Sequence, residues 1–220
     1  AEPILSHVSL DVPQHGILGV QGPSGRGKST LLKLLMRYWD PQSGLVALSE
    51  VPLPQIDAHH RRRVQTMMGQ ETYLFDGTIR ENLLMACDMG GADRADNAGD
   101  PDDSATSGRA LLTPPAPPVS WNAADSALST RSTPSVGDDV LRAALAKASA
   151  LELVDSLPQG LDTPVGELGG RLSEGERQRI GLARVFLRNP SLVLFDEPTS
   201  RLDAYNESVI LQSIDALAQQ

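Results

Sequence analysis

The sequence has little that would suit an oxidising compartment or a lipid bilayer. Cys87 is the only cysteine among 220 residues, so no disulfide can close within the chain and a cytosolic setting is expected. No stretch approaches the roughly 18 consecutive apolar residues that span a bilayer, and the N-terminus lacks the layout of a signal peptide. Any link to a membrane is therefore expected to come through a partner or through sequence outside this chain.

A basic excess is missing as well, because the formal net charge is −9. Domains that bind nucleic acid usually carry a basic excess on one face, so no nucleic-acid partner is expected. The one short basic run, residues 61–63, favours a solvated helix face over an anion site, and no function is assigned to it. Aromatic residues are scarce at 4%, but 40% of the chain is apolar, enough for one α/β core with an appendage.

The acidic charge is concentrated in residues 88–137, where Ala, Ser, Pro, Gly and Asp dominate. Residues 113–119 read Thr-Pro-Pro-Ala-Pro-Pro-Val, and residues 88–139 carry a net charge of −6. Such a composition cannot bury enough apolar surface to order itself. We predict a disordered insertion at 88–137 within a single domain, 1–220. It would separate a nucleotide-binding core, 1–87 and 189–220, from a helical subdomain, 138–188.

Hydrophobic periodicity predicts the main elements of an α/β fold. Residues 17–20 are predicted to form a buried strand, followed by a glycine loop and a helix. Further strands are expected at 46–48, 64–68 and 192–195. Helices are expected to begin at Thr78, Asp138, Ser173 and Asp203, the second with Val140 on its apolar side. The helices that begin at Thr78 and Ser173 are expected to end near Ala86 and Arg188.

The motif with the clearest chemistry is a complete phosphate-binding loop between the first predicted strand and helix. Its glycines would turn backbone N–H groups toward a phosphate, Lys28 would reach the β and γ oxygens of ATP, and the Ser29 hydroxyl would bind Mg²⁺. The expected nucleotide-binding residues are Gly22, Pro23, Ser24, Gly25, Arg26, Gly27, Lys28, Ser29 and Thr30.

Two acidic residues end the predicted strand at 192–195. Asp196 would lie at the sheet edge beside the phosphate loop and hold Mg²⁺ through water. Glu197 would orient or deprotonate the attacking water. An acid pair after a strand can also be a helix cap, but behind an intact phosphate loop the catalytic interpretation is favoured.

Residues 172–179, Leu-Ser-Glu-Gly-Glu-Arg-Gln-Arg, resemble the signature motif of ATP-binding-cassette (ABC) transporters. Gln70 stands where that family has its Q-loop glutamine, and residues 200–203 resemble its D-loop. Residues 163–167 resemble the X-loop of exporters, and residues 75–83 also look exporter-like. The resemblance implies a three-layer α/β phosphate-loop core with a helical signature subdomain.

The resemblance also implies a function, ATP hydrolysis that powers an exporter through nucleotide-driven dimerisation at the cytoplasmic face of a membrane. ATP would lie between the phosphate loop of one domain and the signature of a second ABC ATPase domain. Gln70 would contact Mg²⁺ or the water, and the regions of Gln70 and Glu167 would touch coupling helices of a transmembrane domain. The expected signature residues are Ser173, Glu174, Gly175 and Glu176, and the D-loop residue is Asp203.

The sequence departs from the family pattern in several places. It lacks the adenine-stacking aromatic residue, the switch histidine and two sheet strands, which suggests a domain truncated at both ends. Glu174 replaces the usual signature glycine and Arg201 a small D-loop residue. A carboxylate at 174 would repel a partner-bound phosphate unless it turns away, so we hypothesise a heterodimer in which this signature serves the weaker site. A capping box of Ser173 with Glu176 explains the same residues structurally.

Two other functions share some of these motifs. Chromosome-maintenance and DNA-repair ATPases have the phosphate loop and signature, but their insertions are coiled coils, and no heptads occur here. A nucleotide-binding module without turnover is the other alternative, because the switch histidine is missing.

Overall fold

The computed structural model of the chain describes residues 3–91 and 136–219. Its helices and strands follow the chain in the order α1 (Lys28–Leu35), β1 (Ala47–Leu48), β2 (Val51–Pro52), α2 (Ala58–Val64), β3 (Gln65–Met68), α3 (Ile79–Gly91), α4 (Asp138–Lys147), α5 (Leu151–Ser156), α6 (Glu174–Arg188), β4 (Leu192–Phe195) and α7 (Ala204–Ala218). Short 3₁₀ turns lie at Leu53–Gln55, Gly160–Asp162 and Glu167–Gly169. None of the helices in these two ranges is both long and apolar enough to cross a membrane.

The parallel pair of β3 and β4 positions the candidate site. Gln65 aligns with Leu192 and Met68 with Phe195, and the N–H of Asp196 donates to the carbonyl of Met68 at 2.9 Å. Since parallel strands end at the same edge of a sheet, the residues that follow both strands meet there. That edge holds Gln70 and Asp196. β1 and β2 form a separate antiparallel pair.

The hydrophobic core lies among β3 and the helices α3 to α7, not around the phosphate loop. Leu141, Leu145 and Ile180 are fully buried, as is Ile210 of α7. Helix α6 approaches the chain after β3 closely at Gly181, where an added Cβ would lie 2.6 Å from Cγ2 of Thr72. The helical part of the chain is therefore its most tightly packed region.

The predicted strand at 17–20 is wrong for this structure, which assigns no strand there. Ile17, Leu18 and Val20 are 57%, 42% and 44% exposed. A strand is stable only beside a neighbouring strand or a packed face, and the described residues provide no pairing partner for this segment. The apolar stretch at 17–20 suggested a buried strand, but a sequence pattern does not identify the neighbour that would bury it.

Most other boundaries shift by a few residues. Val64 belongs to α2, so β3 begins at Gln65, and the strand expected at 46–48 is only Ala47–Leu48. Val140 is 48% exposed, because α4 turns Leu141 and Leu145 toward the core at helical spacing and leaves Val140 outside. Helix α3 runs past the expected end at Ala86 to Gly91, which takes residues 88–91 out of the expected insertion. Of the rest of that expected insertion, residues 92–135 lie outside the described residues, and residues 136 and 137 directly precede α4.

Candidate functional site

The phosphate loop is open at Gly22 and Gly25, whereas Gly27 lies against Ile4 and Leu5. Gly25 and Gly27 have φ of 77° and 88°, the left-handed region that glycine adopts without strain. A Cβ added at Gly22 or Gly25 would meet no atom within 4 Å. Within the described ranges no side chain caps the start of α1, so the N–H groups of its first turn remain available to an anion. The loop therefore has the space and the donors that a phosphate group requires.

The Lys28 ammonium lies over this loop, where it contacts two backbone carbonyls and one carboxylate. Its ammonium Nζ donates to the backbone carbonyls of Gly22 at 2.9 Å and of Pro23 at 3.3 Å, and it lies 3.6 Å from Oε1 of Glu197. The Lys28 side chain is 21% exposed and that of Glu197 is 47% exposed. Phosphate oxygens carry more charge than peptide carbonyls, so a bound phosphate can replace these contacts.

Ser29 and Asp196 meet directly at the carboxyl edge of the parallel pair. The Ser29 hydroxyl donates to Oδ1 of Asp196 at 3.0 Å, across 167 residues of chain. A hydroxyl and a carboxylate side by side are hard oxygen ligands of the kind Mg²⁺ prefers, so these two residues fit that ion. In the part of the chain that the structure describes, no cluster of three or more His, Cys, Asp or Glu side chains could hold a metal. The remaining ligands of a magnesium ion here would be water and phosphate, as is usual for Mg²⁺.

Glu197 occupies an unusual backbone conformation. Its φ is 49°, and the N–H of Ser200 donates to its carbonyl at 3.2 Å, which closes a turn directly after β4. Left-handed backbone at a residue other than glycine costs free energy and is often found at functional positions. The turn places the Glu197 carboxylate beside Lys28 and next to the Ser29–Asp196 pair.

Gln70 contacts the predicted D-loop rather than the Ser29–Asp196 pair. Its amide Nε2 donates to Oγ of Ser200 at 2.8 Å, and its carbonyl accepts from Nε2 of the fully buried Gln178 at 3.2 Å. The following residue, Glu71, accepts hydrogen bonds from Tyr73 at 2.6 Å and from Arg201 at 2.5 Å. These two donors, Tyr73 first, lower the pKa of the Glu71 carboxyl group. Arg201, which departs from the family pattern, thus ties the D-loop to the Q-loop.

The signature residues form the tightly built start of α6. Ser173 caps the helix: its hydroxyl accepts from the N–H of Glu176 at 3.4 Å, and Oε2 of Glu176 accepts from the N–H of Ser173 at 2.8 Å. The capping box predicted from the sequence is confirmed. Gly175 is buried against α7, where an added Cβ would lie 2.9 Å from Cγ and Oδ1 of Asn206. This end of α6 is ordered by contacts within the chain itself.

The Glu174 side chain is turned along its own helix. Its Oε2 accepts from Arg177 at 2.5 Å, and the side chain is 25% exposed. Its other oxygen, Oε1, is buried and has no hydrogen-bond partner among the described residues. The carboxylate therefore has a cation beside it, which reduces the repulsion it would exert on a phosphate presented by a partner.

Asp203 caps α7 and joins it to α6. Its Oδ1 accepts from the N–H groups of Tyr205 and Asn206 at 3.0 Å each, and its Oδ2 accepts from the side-chain amide of Asn206 at 2.6 Å. The bond from the Asn206 backbone is the largest cause that lowers the pKa of Asp203. The other end of the Asn206 amide accepts from Arg179 of α6 at 3.0 Å.

Glu167 is exposed on a turn held against the start of α3. The N–H of Val165 donates to the carbonyl of Gly77 at 2.9 Å, and the N–H of Ile79 donates to the carbonyl of Thr163 at 3.1 Å. These bonds place the predicted X-loop beside the residues that follow the Q-loop. Three large apolar side chains in these two segments are at least 60% exposed, Tyr73, Phe75 and Leu168.

The predicted site residues therefore form two groups. Lys28, Ser29, Asp196 and Glu197 gather at the carboxyl edge of the parallel pair. In the described residues no hydrogen bond or ion pair joins the signature residues, 173–176, to this group. Sequence reasoning missed three residues that hold these groups in place, Arg177, Gln178 and Asn206. The only available signal was the spacing of Asn206 after the helix cap at Asp203.

An open glycine loop that starts a helix, with a lysine over it and a hydroxyl–carboxylate pair at the edge of a parallel sheet, defines a phosphate-loop nucleotide-binding domain. The chain belongs to the ABC transporter family, whose model matches residues 5–200.

Similar proteins carry this domain within longer chains. A probable ABC transporter ATP-binding/permease protein of Haemophilus influenzae is 41% identical over 213 residues, which are 97% of this chain and 30% of that protein. The ABC transporter ATM1 of Toxoplasma gondii is 35% identical over 216 residues, 98% of this chain and 15% of that protein. The chain thus spans less than a third of the length of either relative.

A solved structure gives the same result for the fold. The structure of a bacterial Atm1-family ABC exporter with ATP bound matches with a TM-score of 0.63 at 29% identity, over 89% of this chain and 26% of that one. The predicted fold class, an α/β phosphate-loop core with a helical signature subdomain, is confirmed.

Proposed function

We propose that this chain binds magnesium-ATP and hydrolyses it, and that it powers an ABC exporter at the cytoplasmic face of a membrane. The observation that carries the proposal is the meeting of Lys28, Ser29, Asp196 and Glu197 from both ends of the chain at one edge of the parallel pair. The similarity to proteins named as ABC transporters supports the transport role.

Each residue of this group has a chemical task. The loop N–H groups and Lys28 bind the β- and γ-phosphates, and Ser29 and Asp196 hold Mg²⁺. The ion, when bound, neutralises charge that develops on the phosphates during transfer. Glu197 orients the attacking water or accepts its proton. Because Glu197 lies 3.6 Å from Lys28, phosphates that draw Lys28 away release the carboxylate for this task.

The second half of the ATP site comes from a partner domain. Ser173 and Gly175 are preorganised by the capping box and by Asn206, and among the described residues no hydrogen bond or ion pair joins them to the phosphate loop of their own chain. We infer that they meet the γ-phosphate held by a second ABC ATPase domain, with Asp203 near the junction. ATP then closes the dimer to the extent that the closed state binds it better than the open one.

Contact with a transmembrane domain is assigned to the surface around Gln70 and Glu167. The exposed side chains of Tyr73, Phe75 and Leu168 flank this surface, and large exposed apolar residues grouped together mark protein contacts. The bond from Gln70 to Ser200 links this surface to the D-loop, so a change at one can reach the other.

Steady-state hydrolysis and equilibrium binding of magnesium-ATP test the proposal. We expect wild-type chain to bind ATP, Lys28→Ala to lose binding, and Glu197→Gln to retain binding while turnover falls about 100-fold or more. ATP should also shift Glu197→Gln toward a dimer in sedimentation. Binding without turnover in wild type, even within an assembled transporter, would favour a nucleotide-binding module instead. Equal binding by wild type and Lys28→Ala would contradict the assignment of the loop.

A heterodimer remains our proposal for the assembly, motivated by Glu174. Its ion pair with Arg177 lessens the repulsion but leaves a carboxylate where the family has glycine. We expect Glu174→Gly to raise the ATPase rate of the assembled transporter, with Arg142→Gly, which also removes one partner of an exposed ion pair, as the control. An unchanged rate in Glu174→Gly would remove the support for a weaker second site.

A further inference from the structure

A second concave surface lies at the opposite edge of the parallel pair from the phosphate loop. It encloses about 280 Å³ and is lined by Met36, Arg37, Tyr38, Arg61, Arg62, Gln65, Thr66, Met67 and Arg188. Gln65 and Thr66 begin β3, whereas Gln70 and Asp196 follow the carboxyl ends of β3 and β4. Helix α1, eight residues long, separates the phosphate loop from Arg37 by roughly 12 Å of helix. We name this surface the arginine pocket.

Among the described residues, the lining of the arginine pocket includes four arginines and no acidic residue. Arg37 is compensated, because its Nε donates to Asp40 at 3.2 Å. No carboxylate among the described residues pairs with Arg61, Arg62 or Arg188. A pocket with three such cations is notable in a chain whose net charge is −9.

Arg188 is held in place by neutral acceptors instead of an acid. From the last position of α6, its guanidinium donates to Oγ1 of Thr66 at 3.3 Å and to the backbone carbonyl of Arg62. Burial lowers the pKa of the Arg188 guanidinium, as happens where a cation lacks nearby negative charge. Arg61 is also fixed, since it donates to the carbonyl of Ile56 at 3.4 Å. Arg188 and Arg61 are therefore preorganised, which lowers the entropy cost of binding an anion.

Arg62 supplies a free group beside this fixed pair. Its backbone carbonyl is used by Arg188, but within the described part of the chain its exposed guanidinium makes no hydrogen bond or ion pair. Arg63 follows on the same turn of α2 and does not line the pocket. Arg62 and Arg63 therefore have the same charge and lie on the same helix, but only Arg62 lines the pocket.

We propose that the arginine pocket binds a phosphate-type oxyanion, the phosphomonoester or pyrophosphate group of a ligand other than the ATP held by the phosphate loop. Guanidinium groups present planar forks of donors that match phosphate oxygens, and several converging arginines match a group with more than one negative charge. A carboxylate, with one charge, would leave most of the cationic charge of the pocket uncompensated.

Binding of inorganic pyrophosphate, measured by calorimetry in the Lys28→Ala chain, tests the proposal apart from the phosphate loop. We expect Arg62→Gln and Arg188→Gln each to weaken this binding about tenfold or more, as for the loss of a charge-assisted hydrogen bond. Arg63→Gln is the matched control and should change the dissociation constant less than about twofold. Since Arg188 also contacts the protein, Arg62→Gln decides the matter if Arg188→Gln fails to fold.

Two results would overturn the proposal. One is a Lys28→Ala chain that does not bind pyrophosphate. The other is an equal effect of Arg62→Gln and Arg63→Gln, which would indicate diffuse surface charge. Failure of the arginine pocket leaves the ATPase proposal untouched, because that proposal is tested at Lys28 and Glu197.

Vesicles distinguish the source of the phosphate. A co-sedimentation experiment compares binding to vesicles of phosphatidic acid in phosphatidylcholine with binding to vesicles of phosphatidylcholine alone. Binding to phosphatidic acid that Arg62→Gln weakens and pyrophosphate displaces would support a lipid headgroup as the ligand. Pyrophosphate binding without vesicle binding would support a soluble phosphorylated compound. Vesicle binding that ignores Arg62→Gln, with no pyrophosphate binding, would contradict both.

Discussion

The two halves of the proposed ATP site are built in opposite ways. The phosphate loop is exposed, Gly22 and Gly25 face open space, and among the described residues the Lys28 ammonium contacts two backbone carbonyls and the Glu197 carboxylate. The signature end of α6 is closed by a capping box and by the contact of Gly175 with Asn206. A loop with few contacts of its own can gain most of its order from a ligand, whereas a preorganised helix end offers its donors at little further entropy cost.

The largest expected effect separates these halves by their response to nucleotide. Magnesium-ATP should slow amide exchange in residues 22–30 by more than about tenfold, while residues 180–186 of α6 change little, because local order gained on binding appears where contacts were few. Hydrogen exchange followed by mass spectrometry checks this. Lys28→Ala should remove the difference between the regions, and equal protection of both would contradict the comparison.

The next largest effect is expected from disrupting the packing at the start of α6. Gly175→Ala should lower the free energy of unfolding by about 1–3 kcal/mol, because the new methyl group meets an Asn206 side chain pinned by Asp203 and Arg179. Chemical denaturation measures it. Gly19→Ala is the control, since a Cβ there meets nothing within 4 Å. In the Gly175→Ala, Asn206→Ala double variant the cost should be less than the sum of the two single costs.

A smaller effect tests the helix that packs on α6. Thr78 caps α3: its Oγ1 accepts from the N–H of Glu81 at 3.1 Å, and Oε2 of Glu81 accepts from the N–H of Thr78 at 2.7 Å. Thr78→Ala should lower the free energy of unfolding by about 1 kcal/mol, and Thr78→Ser should largely keep it. If the two variants were equally stable, the cap would not contribute.

The smallest effect is a dependence of stability on low pH in the helical region around α3 and α4. Arg80 of α3 bonds Asp138 at the start of α4 and Asp162 at 2.7 Å, and these bonds lower the pKa of both carboxyl groups. A lowered carboxyl pKa stabilises the fold above its ordinary value of about 4, and this is lost as pH falls through the folded-state value. Arg80→Gln should therefore unfold at a slightly higher pH than wild type in an acid titration followed by circular dichroism. Arg171→Gln, which changes an exposed arginine outside these ion pairs, should leave the acid midpoint unchanged.

The features that the sequence could predict depend on residues close together along the chain. The phosphate loop, the acids after β4, the helix cap at Thr78 and the capping box at Ser173 depend on spacings of a few residues, and the structure forms each of them. Asp196 was expected beside the phosphate loop because it follows a buried strand behind a complete loop motif, and in the structure it lies next to Ser29.

What failed depended on partners far along the chain. Residues 17–20 have the pattern of a strand, but strand formation needs a neighbour that no pattern identifies. The basic run at 61–63 was assigned to a solvated helix face, and only the fold brings Arg188, 125 or more residues away, beside it. The bond between Gln70 and Ser200, 130 residues apart, is of the same kind.

The sequence by itself thus determined the family, the phosphate loop and the helix caps, because backbone turns and caps are decided by neighbouring residues. Only the tertiary structure decided that Glu174 turns to Arg177, that Gln70 binds Ser200, and that one pocket is lined by three arginines with no acidic partner among the described residues. Side-chain orientation and long-range contact follow from packing, which short-range patterns do not encode.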